Sequence, residues 1–202
     1  AGAVAEVGAP VSAGRRERHC SDWFGVPAPC GRVGHVALPP YIRRTDEATD
    51  HDRYQTVFAN KPGAIAAPTA GLHFTEEIFS TLAKRNIDVC SITLHVGPGT
   101  FLPVRAEKLD DHRMHSEAYE VTEESAQQIN KARAEGRRII ALGTTVTRTL
   151  EHAVDDNGLL QAGQGETDLF IIPGFNFRTV ESLINNFHLP KSTIVLFVLA
   201  FA

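Results

Sequence analysis

Strand-like and helix-like segments take turns along most of this chain, and that alternation restricts its fold more than any other feature. Residues 88–96 are β-rich and stop at Gly97-Pro98-Gly99. Residues 117–121 read as a second short strand. Thr122 is a suitable N-cap for a helix running to Ala134, which Gly136 ends. Residues 138–142 carry an unbroken apolar run, the mark of a strand buried on both faces. Gly143-Thr144-Thr145 then turns into a helix over 146–154. Residues 168–172 read as another strand, closed by Pro173-Gly174, and a last helix begins near Lys191 or Ser192. Upstream, 47–59 reads as a helix ended by Asn60-Lys61-Pro62-Gly63. Thr75 caps another to about residue 85, with Glu76 and Glu77 at its positive end and Ile78, Phe79 and Leu82 on one face. The pattern predicts an α/β fold, a mainly parallel sheet with flanking helices. The strands at 88–96 and 138–142 are expected at central positions, side by side or nearly so.

Residues 1–37 are rich in Gly, Ala, Val and Arg without a sustained period, and read as irregular and unassigned. Leu38-Pro39-Pro40-Tyr41 marks an extended entry into the ordered part, 38–202, read as a catalytic-type domain. With 202 residues the chain can bury a real core. Lys plus Arg is 20 against 24 Asp plus Glu, so bulk charge does not mark a strongly basic nucleic-acid binder. Any RNA would be met by a local patch. Cys20, Cys30 and Cys90 are too few and too scattered for a disulfide framework, and a reducing cytoplasm is the simplest setting. The first residues place their charges after a weakly apolar stretch, the reverse of a signal peptide. The apolar run 194–202 is too short to span a bilayer. No membrane partner is expected, and a monomer is.

Candidate chemistry falls at strand ends, where α/β folds gather ligands. His95-Val96-Gly97-Pro98-Gly99-Thr100-Phe101 leaves a strand into a glycine-rich turn that lets a ligand come close. Taken by itself, this stretch reads as a tight turn beside a core histidine. Gly143-Thr144-Thr145 with Arg148 one turn on forms a helix start that suits an anionic group. An ordinary cap with a solvated Arg148 is the plainer reading. His112-x-x-His115-x-Glu117 has metal-ligand types, but it runs from loop into strand without helical spacing. Acid–base or hydrogen-bonding roles are favoured there, and no metal is expected. His73 and His188 each precede a helix start. One such histidine is ordinary; five in similar settings (73, 95, 112, 115, 188) are harder to dismiss. The clusters Arg15-Arg16-Arg18, Arg43-Arg44 and Lys131-x-Arg133 with Arg137-Arg138 read as solvated faces.

Eight strings together resemble one family: LPPYIRR (38–44), RYQTVFA (53–59), GAIAAPTAGLHFT (63–75), TLHVGPGTFLPV (93–104), HRMHSEAYEV (112–121), GTTVTRTLE (143–151), DLFIIPGFNF (168–177) and NNFHLPKST (185–193). Their order and spacing are those of the S-adenosylmethionine:tRNA ribosyltransferase-isomerases of queuosine biosynthesis. The resemblance implies transfer and isomerisation of the ribosyl moiety of S-adenosylmethionine. The acceptor would be 7-aminomethyl-7-deazaguanine at the tRNA wobble position, giving epoxyqueuosine with release of adenine and methionine. S-adenosylmethionine is then a substrate, and no cofactor is expected. His95, His115 and Glu117, with His73 next, are the acid–base candidates. Gly97, Gly99, Thr100, Phe101, Thr144, Thr145, Arg148 and His188 are the binding candidates.

The resemblance also implies an α/β barrel-like main domain and an inserted β-barrel domain upstream of LPPYI. Residues 1–37 cannot hold such a domain, and the family continues past the final AFA. A member truncated at both ends is therefore expected, its catalytic-type domain incomplete at its C-terminus. Asn185 and Leu199 stand where Thr and Ser are common in the family. An inactive or tRNA-binding-only fragment is the second expectation, and a metal hydrolase on His112, His115 and Glu117 the third.

Overall fold

The computed structural model describes residues 3–7, 36, 38, 42–61, 64, 66–97, 114–186 and 192–202. Six strands form one sheet: β1 (Ala3–Val7), β2 (Asp88–His95), β3 (Glu117–Val121), β4 (Ile139–Leu142), β5 (Gly163–Thr167) and β6 (Ser182–Ile184). Their order across the sheet is β5-β3-β2-β1-β4-β6. The helices are α1 (Asp50–Arg53), α2 (Glu76–Lys84), α3 (Glu123–Ala134), α4 (Thr144–His152) and α5 (Thr193–Phe201).

The α/β class holds, but the sheet is mixed. β2, β1, β4 and β6 run parallel, while β2–β3 and β3–β5 are antiparallel. β3 and β5, at the β2 side of the sheet, make its antiparallel half. β2 and β4 are both internal, separated by β1 alone. That strand lies inside the stretch read as irregular. A five-residue parallel strand needs no polar alternation, so its sequence carries little signal.

Residue parity on the strands assigns two faces. Cys90, Ile92 and Leu94 of β2 lie with Ile139 and Ala141 of β4 on the face covered by α3 and α4. Ile129 of α3 and Val146 and Leu150 of α4 are fully buried in that layer. Each such side chain stabilises the fold by about 1.5–3 kcal/mol relative to exposure. On the opposite face Ile140 and Leu142 pack under Ala70, Phe58, Phe74 and Ile87, next to α2. Thr75 and Thr122 cap α2 and α3 as expected, accepting from the Ile78 and Ser125 N–H groups.

Two expected elements are displaced. The helix over 47–59 shrinks to α1. Arg44 grips the Asp50 carboxylate through two bonds of 2.6 and 2.8 Å, and Glu47 N–H donates to it at 2.7 Å. Tyr54 is buried, and Phe58 lies against Gly71, where an added Cβ would come within 2.6 Å of the ring. Tertiary contacts therefore end the helix early. The strand expected at 168–172 is not one; β5 sits at Gly163–Thr167 instead. Two glycines in five residues hide it from propensity. The pairing needs one of them, because a Cβ at Gly165 would lie 2.8 Å from the Tyr119 hydroxyl on β3.

α5 is apolar at every position after its first, yet only Phe197 is buried. Val198 and Leu199 are exposed. No helix among the described residues is long and apolar enough to cross a membrane.

Candidate active site

β4 hands over to α4 through Gly143, whose φ of +101° favours glycine. Its N–H donates to Ile184 O at 2.9 Å, tying the helix start to β6. Thr144 and Thr145 open the helix, and Arg148 follows one turn on. Arg148 is not solvated: it is 7% exposed. Its Nη1 donates to Glu117 Oε2 at 2.8 Å, its Nε to Leu169 O at 2.8 Å and its Nη2 to Thr167 O at 3.3 Å. The carbonyls of 167 and 169 thus point to a guanidinium, which leaves 168–172 no neighbour strand. Glu117 is equally buried. Such a pair is held by its geometry, since desolvation offsets most of its Coulomb attraction.

A cleft of about 30 Å³ opens beside this pair. Thr144, Thr145 and Arg148 form one wall, Leu169 to Ile171 a second, and Ile194 and Phe197 of α5 a third. Met114 borders it, directly before His115. His115 itself is exposed, as is His73 at the end of the 3₁₀ turn Gly71–His73.

His95 approaches the same rim from the other side. It pairs with Ala118, the residue after Glu117. Thr93 pairs with Glu120, so His95 and Glu120 share the face opposite Glu117. Lys61 forms an ion pair with Glu120. That contact holds the Glu120 carboxyl below its usual range. Partial burial pushes the His95 imidazolium down, Lys61 adds to this and Glu120 opposes it. His95 is therefore favoured in its neutral form near pH 7, the form a base requires.

The carboxyl ends of β2 and β4 thus carry two constellations on opposite faces. Thr144, Thr145, Arg148 and Glu117 come together on the α3–α4 side. His95 joins Lys61 and Glu120 on the other side, on which the turn bearing His73 also packs through Ala70 and Phe74. A Cβ at Gly97 would meet nothing within 4 Å. Gly99, Thr100, Phe101, His112 and His188 lie outside the described residues. Among the described residues no group of three His, Cys, Asp or Glu could hold a metal ion.

One functional-looking residue escaped the sequence reading. Glu151, 2% exposed on α4, accepts from the N–H groups of Arg178, Thr179 and Val180 at 2.7–2.9 Å. Only its place three residues after Arg148 hinted at a role.

An α/β sheet with a largely apolar cleft at its strand carboxyl ends, into which a few polar groups project, has the layout of the ligand-binding class of α/β protein. The chain belongs to the queuosine biosynthesis protein family, whose model matches residues 11–202. That match reaches back into the stretch without sequence period. S-adenosylmethionine:tRNA ribosyltransferase-isomerases of Syntrophotalea carbinolica and Geobacter sulfurreducens are each 57% identical over 171 residues. The matches cover 85% of this chain and 50% of each relative, so the chain spans about half their length. A crystal structure of S-adenosylmethionine tRNA ribosyltransferase from Thermotoga maritima aligns with a TM-score of 0.51 at 38% identity. It covers 66% of this chain and 41% of that one.

Proposed function

We propose that this chain carries the ribosyl-transfer chemistry of its family, moving and rearranging the ribosyl moiety of S-adenosylmethionine onto 7-aminomethyl-7-deazaguanine at the wobble position of tRNA. The observation that carries this reading is that His95 and the Glu117–Arg148 pair stand on neighbouring rungs of one strand pair, on opposite faces at the same rim. A substrate lying over the rim would be reached from both faces of the sheet.

The chemistry fits those groups. The sulfonium acidifies the adjacent 5′ carbon, and a neutral His95 is suited to take a proton there. Departing adenine needs a proton, a task for His115 or His73, while Glu117, ion-paired with Arg148, is placed to accept a hydrogen bond from the ribose. Thr144 and Thr145 at the amino end of α4 suit hydroxyl or anionic groups. Arg148 holds Glu117 in place and lines the cleft beside Thr144 and Thr145. Gly97 leaves open space at the end of β2, and Gly99, Thr100, Phe101 and His188 complete the proposed binding set. The products are epoxyqueuosine in tRNA, adenine and methionine. The reading calls for no metal, and places the protein in the cytoplasm as a monomer.

The test is adenine release from S-adenosylmethionine, followed chromatographically, with tRNA bearing 7-aminomethyl-7-deazaguanine. Release that requires this tRNA supports the reading; a folded chain that binds both substrates without release sinks it. The half-length coverage favours a second reading, tRNA binding without turnover, which that same null result would support.

A further inference from the structure

At the amino end of β4, a groove of about 470 Å³ lies between the end of α3 and residues 177–181. Arg133, Arg137, Arg178, Phe177 and Glu181 line it. Glu181 N–H bonds to Ile139 O, which fixes this wall against β4. The sequence marked Arg133 and Arg137 as part of a solvated basic run. It gave no reason to add Arg178, which lies 45 residues beyond Arg133.

The bonding of these arginines is unusual for a solvated face. Arg133 donates to Gly158 O and, at 2.8 Å, to Arg178 O. Arg178 donates to Asp155 O, Glu151 O and Val154 O at 3.2–3.3 Å. Every one of these acceptors is a carbonyl. Each guanidinium is therefore aimed by several bonds, and among the described residues neither pairs with a carboxylate within salt-bridge distance. Arg137 behaves differently, pairing with Asp88 at 2.6 Å. Capping the carbonyls at the end of α4 accounts for the Arg178 bonds. It does not account for Arg133 and Arg178 meeting Arg137 at one groove, three cations against the one lining carboxylate Glu181, in a chain of net charge −4.

The groove and the cleft are close neighbours in packing terms. The Phe177 ring lines the groove and sits edge-on to Phe197, 6.2 Å away, and Phe197 walls the cleft. A ligand with its reacting group at the strand carboxyl ends and repeated charge along its length would pass both places. We infer that the groove takes the phosphodiester backbone of the RNA acceptor, away from the reacting base. This rests on the reading that the acceptor is a tRNA. Fixed arginine forks suit phosphate oxygens, and backbone contacts position an RNA without reading its sequence.

The experiment measures binding of the full chain to a fluorescent, unmodified tRNA transcript between about 50 and 200 mM KCl. Arg133→Gln and Arg178→Gln should each weaken binding roughly three- to tenfold. Each should also flatten the slope of log affinity against log salt by about 1. Glu181→Gln removes an exposed carboxylate from the groove and should tighten binding. That gain cannot come from damaged folding, which thermal melts of all three variants will report. Unchanged affinity and slope in the arginine variants overturn the inference. So do arginine losses that merely follow a lowered Tm while Glu181→Gln is neutral. Displacement of the transcript by polyglutamate as readily as by unlabelled tRNA would make the groove a site for acidic peptides, which also overturns it. The transcript has guanine at the wobble position and is not turned over. Failure here sinks the groove alone, and failure of adenine release sinks the reaction alone.

Discussion

His95 and Glu117 stand one rung apart on the β2–β3 pair and project from opposite faces of the sheet. Groups separated by a sheet do not line one closed pocket. They can meet one ligand only over the rim where the strands end. The sequence grouped His95 with Glu117 as acid–base candidates and carried no sign that a sheet divides them.

The Glu117–Arg148 pair should show the asymmetry of a buried ion pair. Glu117→Gln or Arg148→Met leaves one charge buried without its partner and should cost about 3–5 kcal/mol in urea unfolding. The double substitution should cost clearly less than the sum of the two. Simple additivity would mean that the pair is not coupled. Adenine release should stay low in the double variant even where stability returns.

His95 should titrate below its ordinary value of about 6.5, followed by its ring proton resonances. Lys61→Ala removes a cation that disfavours imidazolium, so the midpoint should rise. Glu120→Gln removes the anion that favours it, so the midpoint should fall further. Opposite movements would show that His95 does not sense this cluster.

Acid stability should depend on Asp50. Arg44 and the Glu47 N–H hold its carboxyl well below the usual carboxylate range. The folded state therefore resists protonation that the unfolded chain accepts near pH 3.9. The contribution is complete above about pH 5 and is lost as pH falls below the unfolded value toward the folded one. Melting temperature should drop more steeply between pH 5 and 2 for the parent than for Asp50→Asn. Parallel curves would dismiss this role.

Gly143→Ala should destabilise the chain by about 1–3 kcal/mol, because a φ of +101° with extended ψ strains any residue with a Cβ. The loss should appear in urea unfolding, and adenine release should fall with it, since Gly143 aims Thr144 and Thr145. A neutral result would mean that this turn relaxes freely.

Elements whose signal is local were legible in the sequence. Thr75 and Thr122 announced two helices through their caps, and the Ile139 to Leu142 run announced a central strand. Elements defined by partners were not. β5 depends on Tyr119 lying over Gly165, and β6 is three residues long. β1 lacks any periodic mark, and α1 is cut short by Arg44 and Asp50. At the site, the sequence set Thr144, Thr145 and Arg148 at a helix start, where the structure has them, but neither the burial of Arg148 nor its pairing with Glu117 was foreseen. A solvated arginine and a buried one look the same in a string of letters. The face on which His95 sits was also invisible, because it follows from register rather than from residue type.

Arg148 and Glu151 lock α4 at two buried charges, each satisfied by groups from other parts of the chain. The described residues of α5, on the other side of the cleft, show no side-chain cap and an almost wholly apolar surface. One wall is therefore bolted and the other greased. A cleft of about 30 Å³ holds little more than water, so the proposed nucleoside substrate would need it to widen. Among the described residues α5 is the wall with less polar fastening, so substitutions that enlarge or shrink its side chains should change the room in the cleft more than like changes on α4.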